Sequence, residues 1–205
     1  MAKIKFTPLI EEGSGRMGKV VLSSWKGRPF MKAYAGRNDS KTTAQLEVRS
    51  TFLAMTRNWK SLAGVLKTAW ESYVVGKCMT GLNAFVKTNF ALHKEGKALE
   101  LCKGTGEAPL SNFRTEPGTN PGEIKVAFNP VNGSRHVTFF VQKKEDYVTG
   151  GRIDRFDGGE NLQSPYIING LETGIDYFVY AVVSDKAIDE AEEMSASVGS
   201  VAKAR

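Results

Sequence analysis

Cysteine, histidine and long apolar runs are all scarce in this chain of 205 residues. Two cysteines, Cys78 and Cys102, are too few for a disulfide scaffold and read as small reduced fillers. The two histidines, His93 and His136, stand far apart, and neither has a Cys/His spacing suited to zinc. No G-x-S-x-G, H-E-x-x-H or paired C-x-x-C occurs, so the common hydrolase and metalloprotease signatures are excluded. No stretch approaches the roughly 20 continuous apolar residues of a membrane helix. The opening Met1–Phe6 carries Lys3 and Lys5 with no apolar segment behind them, so no signal peptide is expected. These absences fit a chain made in the cytoplasm, including one that ends in a virion or an extracellular assembly.

Charge is present in ordinary amount but unevenly spread. Residues 1–103 carry 18 Lys+Arg against 7 Asp+Glu, and residues 104–205 carry 10 against 15, so a basic half precedes an acidic one. Gly and Pro gather where the sign changes, at Gly104, Gly106, Pro109, Pro117, Gly118, Pro121 and Gly122. Composition, charge and punctuation together predict a basic domain over 1–103, a linker over 104–121 and a second domain over 122–205.

Within the first half, Val20–Trp25 and Phe30–Tyr34 are β-prone runs separated by Lys26-Gly27, the pattern of a hairpin, with Pro29 at the start of the second run. Residues 42–92 read as three short helices. Thr42 and Gln45 fit a capping box. Val48, Phe52, Met55, Trp59 and Leu62 follow at spacings of 4, 3, 4 and 3, an amphipathic stripe. Trp25, Trp59 and Trp70 read as core. A lone hairpin is marginal in water, so this one is expected to lie against those helices or another chain.

The second half changes period. Ile124, Val126 and Phe128 alternate, as do Val137, Phe139 and Val141, and turn signals stand at Asn132-Gly133, Asn169-Gly170 and Thr173-Gly174. A last strand is expected within Met194–Val201, and Asp189–Glu193 reads as a solvated loop. This is the pattern of a β-sandwich. The segment Gly170–Tyr177, with Leu171 and Tyr177, resembles the E–F corner of fibronectin type III and related immunoglobulin-like domains. In that corner the Tyr hydroxyl bonds to the chain just upstream. Residues 104–205 hold no Trp, and Thr173 stands where the family usually has Pro. The resemblance therefore implies an immunoglobulin-like sandwich in general. The fold class is α+β: an N-terminal β-hairpin with about three short helices, then a C-terminal immunoglobulin-like antiparallel sandwich.

One motif invites a nucleotide. Gly13–Lys19 satisfies G-x-G-x-x-G and most of the P-loop pattern, but Val20 stands where the Mg²⁺-binding hydroxyl belongs, and a β-branched run follows instead of a helix. The acids Asp154, Asp157 and Glu160 match no calcium loop. No catalytic residue, cofactor or metal site is expected. On a helical wheel Arg49, Arg57 and Lys60 fall within about 80° of one another, away from the apolar stripe, and form a candidate nucleic-acid contact.

Gly15–Val21, Ser23–Gly27, Thr43-Ala44-Gln45 with Arg49 and Phe52, and Gly81–Phe85 with Asn89 resemble a family without assigned activity found in Bacteroidetes and in phage-like genomes. More weakly the likeness spans the whole chain, through a β-rich, immunoglobulin-like region near Tyr177–Ser184. It implies a non-enzymatic component of a virion or surface assembly. The expected function is that of a self-assembling structural subunit of a phage particle or extracellular filament, a homo-oligomer or a partner of other structural subunits. Its N-terminal arm would supply Phe6, Leu9, Val20, Leu22, Trp25, Phe30 and Tyr34 as intersubunit contacts. The alternative is a nucleic-acid-binding protein using the basic half. A weaker one is an adhesin using the sandwich loops.

Overall fold

A computed structural model describes residues 2–3, 13–36, 41–130 and 133–205. Met1, Lys5, Phe6, Leu9 and Asn132, all named above, lie outside the described residues. The chain divides into two compact units, Met1–Thr42 and Thr43–Arg205.

The first unit is a sheet. Strands β1 (Ala2–Lys3), β2 (Gly15–Met17), β3 (Val20–Trp25) and β4 (Arg28–Ala33) pair antiparallel in the order β1-β4-β3-β2. The expected hairpin is β3–β4. Lys26 and Gly27 take φ values of 48° and 72°, the left-handed pair that a two-residue turn needs to match strand twist. Two short outer strands extend the hairpin, and the glycine motif forms β2 and the turn into β3.

The second unit opens with α1 (Thr43–Ser61), α2 (Gly64–Tyr73) and α3 (Gly81–Lys94). The Thr80 hydroxyl caps α3, accepting from the Asn83 amide at 3.3 Å. Next come β5 (Arg114–Pro117), β6 (Ile124–Ala127), β7 (His136–Lys143), α4 (Lys144–Thr149), β8 (Asp154–Glu160), β9 (Tyr166–Ile168), β10 (Asp176–Ser184) and β11 (Val198–Lys203). They form a four-stranded sheet, β11-β10-β7-β8, and a three-stranded sheet, β5-β6-β9, both antiparallel. Two such sheets enclosing one core make an immunoglobulin-like sandwich, and with the helices the fold is α+β. At the corner the Glu172 N–H donates to the Tyr177 hydroxyl at 3.0 Å while Leu171 packs on the core, as the resemblance implied.

The helices do not form a domain apart from the sandwich. Strands β7 and β10 are buried on both faces, which explains their almost unbroken apolar runs. Val137, Phe139, Val141, Tyr177 and Val179 point into the sandwich. Phe140, Phe178, Tyr180 and Val182 point the other way and share one core with Met55, Leu66, Trp70 and Phe85 of the helices. Trp70 donates its indole N–H to the Leu101 carbonyl at 3.0 Å and stands edge-on to Phe85, ring centroids 5.5 Å apart. Between the layers the buried Gln142 amide donates to Asn58 Oδ1 at 2.8 Å. A Cβ on Gly150, which ends α4 at φ 75°, would run into the Ala54 carbonyl and the Arg57 side chain of α1.

The boundary expected at 103–122 therefore stands instead between Thr42 and Thr43, and the expected linker is built into the sandwich. Strand β5 lies inside it, and Glu107 pairs with Ser195. The turns of a sandwich need the same Gly and Pro that a linker would. Two further expectations change. Helix α1 is long, at 19 residues, and its stripe is buried only in its second half. Met55 and Leu62 are core and Trp59 packs against it, but Val48 and Phe52 are exposed. Trp25 is not core: it is 57% exposed.

Candidate interaction surface

Among the described residues of the first unit, none is buried. Its strands are nonetheless rich in apolar side chains, and register shows how they divide. Residues paired directly across an antiparallel ladder share a face, and neighbours along a strand point to opposite faces. Val20 pairs with Met17 and Ala33, Leu22 with Met31, and Ser24 with Pro29. One face thus carries Met17, Val20, Leu22, Pro29, Met31 and Ala33, with no charged residue among them.

The opposite face pairs Val21 with Arg16 and Lys32, Ser23 with Phe30, and Trp25 with Arg28. Tyr34, one residue past β4, belongs to it: the Arg16 guanidinium stacks 3.7 Å from its ring centroid. A groove of about 520 Å³ is lined by Ser23, Trp25, Arg28, Phe30 and Lys32 of this face together with Ser24 and Pro29 of the other. The sheet has one apolar face and one cationic, aromatic face. Of the expected intersubunit contacts, Val20 and Leu22 lie on the apolar face, and Trp25, Phe30 and Tyr34 lie on the other.

Arg49, Arg57 and Lys60 are all exposed on α1. Arg57 is already engaged, donating to the Thr149 carbonyl at 3.3 Å. Beside it, Leu53, Tyr147, Val148 and His93 line a cleft of about 570 Å³ between α1, α3 and α4. His93 stacks on Tyr147 at 4.9 Å and its Nε2 lies 3.2 Å from the Tyr147 carbonyl oxygen. Burial, partly opposed by that hydrogen bond, holds its pKa below the ordinary histidine value.

The residues that invited other chemistry stand in separate places. Gly13–Lys19 leads into strand β3 and not into a helix, and Arg16 Nε donates to the Gly18 carbonyl at 2.9 Å. Asp154 pairs with Arg152, Asp157 accepts from the Gly159 amide, and Glu160 meets His136 at 3.0 Å, so these three acids serve three different partners. Among the described residues, no group of three or more His, Cys, Asp or Glu could hold a metal ion, and no helix is long and apolar enough to cross a membrane. Cys78 and Cys102 are free; burial pushes the Cys102 thiol up to about 12.

The amphipathic sheet was readable in principle. Once the turn is placed at Lys26-Gly27, Arg28, Phe30, Lys32 and Tyr34 alternate with Pro29, Met31 and Ala33. Hydrophobicity alone puts all the apolar residues of the arm into one contact set, and only the register divides them between two faces.

No family model matches the chain, and no curated protein matches it. Solved structures do resemble about half of it. The fibronectin type III domain of human collagen alpha-1(XX) chain is 18% identical, with TM-score 0.39, over 49% of this chain and 87% of that one. The FN5 domain of Drosophila Lar is 13% identical, with TM-score 0.35, over 49% of this chain and all of that one. A family 76 glycoside hydrolase from a bovine Bacteroides thetaiotaomicron strain is 15% identical, with TM-score 0.39, over 48% of this chain and 20% of that one.

Proposed function

We propose that this chain is a non-enzymatic structural subunit that assembles through its N-terminal sheet. The observation that carries the reading is the absence of any buried residue among those described in a four-stranded sheet whose one face carries Met17, Val20, Leu22, Pro29, Met31 and Ala33, with Ser24 and no charged residue beside them. A sheet of this size gains stability by burying a face, and among the described residues of this unit none forms a layer on it. A second copy or another structural subunit supplies that layer. Among the described residues the sheet ends in two short outer strands, β1 and β2, whose outer edges can accept a neighbouring strand. The sandwich, with its own core, then serves as the rigid exposed module. The resemblance of residues 15–89 to proteins of phage-like genomes favours a virion or an extracellular filament as the assembly.

Sedimentation velocity on the full chain tests this. Leu22→Lys and Met31→Lys place a charge at the centre of the apolar face. Each is expected to shift wild-type oligomers to monomer while the far-ultraviolet spectrum of the second unit stays unchanged. Oligomers of undiminished size in both variants would overturn the proposal.

A further inference from the structure

We infer that the opposite, cationic and aromatic face of the N-terminal sheet binds single-stranded nucleic acid. Three observations carry this beyond the assembly reading.

The first is where the charge lies. With the boundary at Thr42/Thr43, the first unit holds 9 Lys+Arg against 3 Asp+Glu, and the second holds 19 against 19. The chain's whole formal excess of +6 therefore sits in 42 residues, and residues 13–36 contain no acid at all. The neutral second unit of another copy offers this face no net opposite charge, so a polyanion from outside the chain is the better match.

The second is the arrangement. Arg28, Phe30, Lys32 and Tyr34 alternate along β4 and its exit, with Trp25 on β3 and Arg16 on β2 on the same face. Neither Arg28 nor Lys32 is in an ion pair with a described carboxylate. Cations interleaved with flat rings suit a strand whose phosphates and unstacked bases are both available.

The third is the exposure of the rings. Trp25 and Tyr34 are 57% and 46% exposed. An acidic peptide would use the cations and leave those rings idle, and a duplex keeps its bases stacked inside. A single strand uses both. The site is also distinct from Arg49, Arg57 and Lys60, of which Arg57 is committed to Thr149. Because assembly uses the other face, each reading can fail without the other.

Fluorescence anisotropy of a labelled 12-nucleotide single-stranded DNA with the full chain tests the inference. A duplex of the same length and poly-glutamate of similar charge serve as competitors. Single-stranded DNA is expected to bind more tightly than either. Arg16, Arg28 and Lys32 predict a log K against log salt slope of about −2, and Arg28→Gln with Lys32→Gln should reduce its magnitude by about 1.4. Trp25→Ala should weaken binding by about 5- to 150-fold, the effect of losing one base stack, and Trp25→Phe should recover most of it. The glutamine variants change only exposed side chains, so they report even where Trp25→Ala disturbs the sheet. Equal competition by duplex would show a non-specific cation patch, and stronger competition by poly-glutamate would show an acidic protein partner. Either result, or a salt slope unmoved by the glutamine variants, would overturn the inference.

Discussion

The polar clip between α1 and β7 tests whether the helices and the sandwich are one cooperative body. Asn58 and Gln142 are almost wholly buried, and Asn58 Oδ1 accepts from the Gln142 amide at 2.8 Å while its own amide reaches the Tyr147 carbonyl at 3.5 Å. Gln142 Oε1 has no partner among the described groups, so the pair is already partly unsatisfied. Asn58→Ala strands the Gln142 donor between two apolar layers. An orphaned buried donor costs about 1–3 kcal/mol, and the truncated volume adds about 1 kcal/mol, for a total of about 2–4 kcal/mol. In a unit of this size that lowers Tm by roughly 4–16 °C. Gln142→Leu should cost less, since it also removes the unpartnered oxygen. A double-mutant cycle of Asn58→Leu with Gln142→Leu should return a coupling energy of about 0.5–3 kcal/mol. Urea unfolding of a Trp25→Phe background, followed by tryptophan fluorescence, which then samples Trp59 and Trp70 in the helices, and by hydrogen exchange of β7 and β10 amides, which samples the strands, should give one coincident transition shifted by that amount. A shift confined to the fluorescence signal, with the strand signal unmoved, would refute a shared core.

Three further outcomes follow from single sites. Gly150→Ala should destabilise the second unit by more than about 1 kcal/mol in chemical denaturation, because it adds a left-handed backbone penalty to a clash with the Ala54 carbonyl. Thiol titration of native protein near pH 8 should modify the exposed Cys78 and spare the buried Cys102, with both reacting in denaturant. Since the folded pKa of His93 lies below its unfolded value, the unfolded state takes up the proton first as pH falls. Its contribution is therefore fully present above about pH 7 and declines as pH drops through the ordinary value near 6.5 toward the lower folded one. His93→Gln should flatten the fall in Tm between pH 7.5 and pH 5.

Much of the architecture was legible because each part rests on a short-range rule. The Lys26-Gly27 turn, the alternation through Ile124–Phe128 and the Leu171–Tyr177 corner are local patterns with local causes. The domain boundary was not legible, because Pro109, Pro117 and Gly122 mean chain reversal whether they sit in a linker or between sandwich strands. Nor could the stripe on α1 reveal its partner: Met55 shares one core with β-sheet residues such as Phe178 that lie more than a hundred positions away. Helix α4 spans only six residues, too few for a periodicity to show. The exposure of Trp25 escaped for a different reason. Aromatic content predicts burial on average, and a surface built for a partner departs from that average.

Hydrogen exchange of the full chain at two protein concentrations reads the covering of the N-terminal sheet most directly. Amides of Val20–Ala33 should be weakly protected at low concentration, because the sheet has no core of its own, and their protection should rise by at least tenfold as concentration rises through the assembly range. Amides of β7 and β10 should stay equally protected at both. Strong protection of Val20–Ala33 that does not change with concentration would show that the sheet is stable unaided, and would contradict assembly through its apolar face.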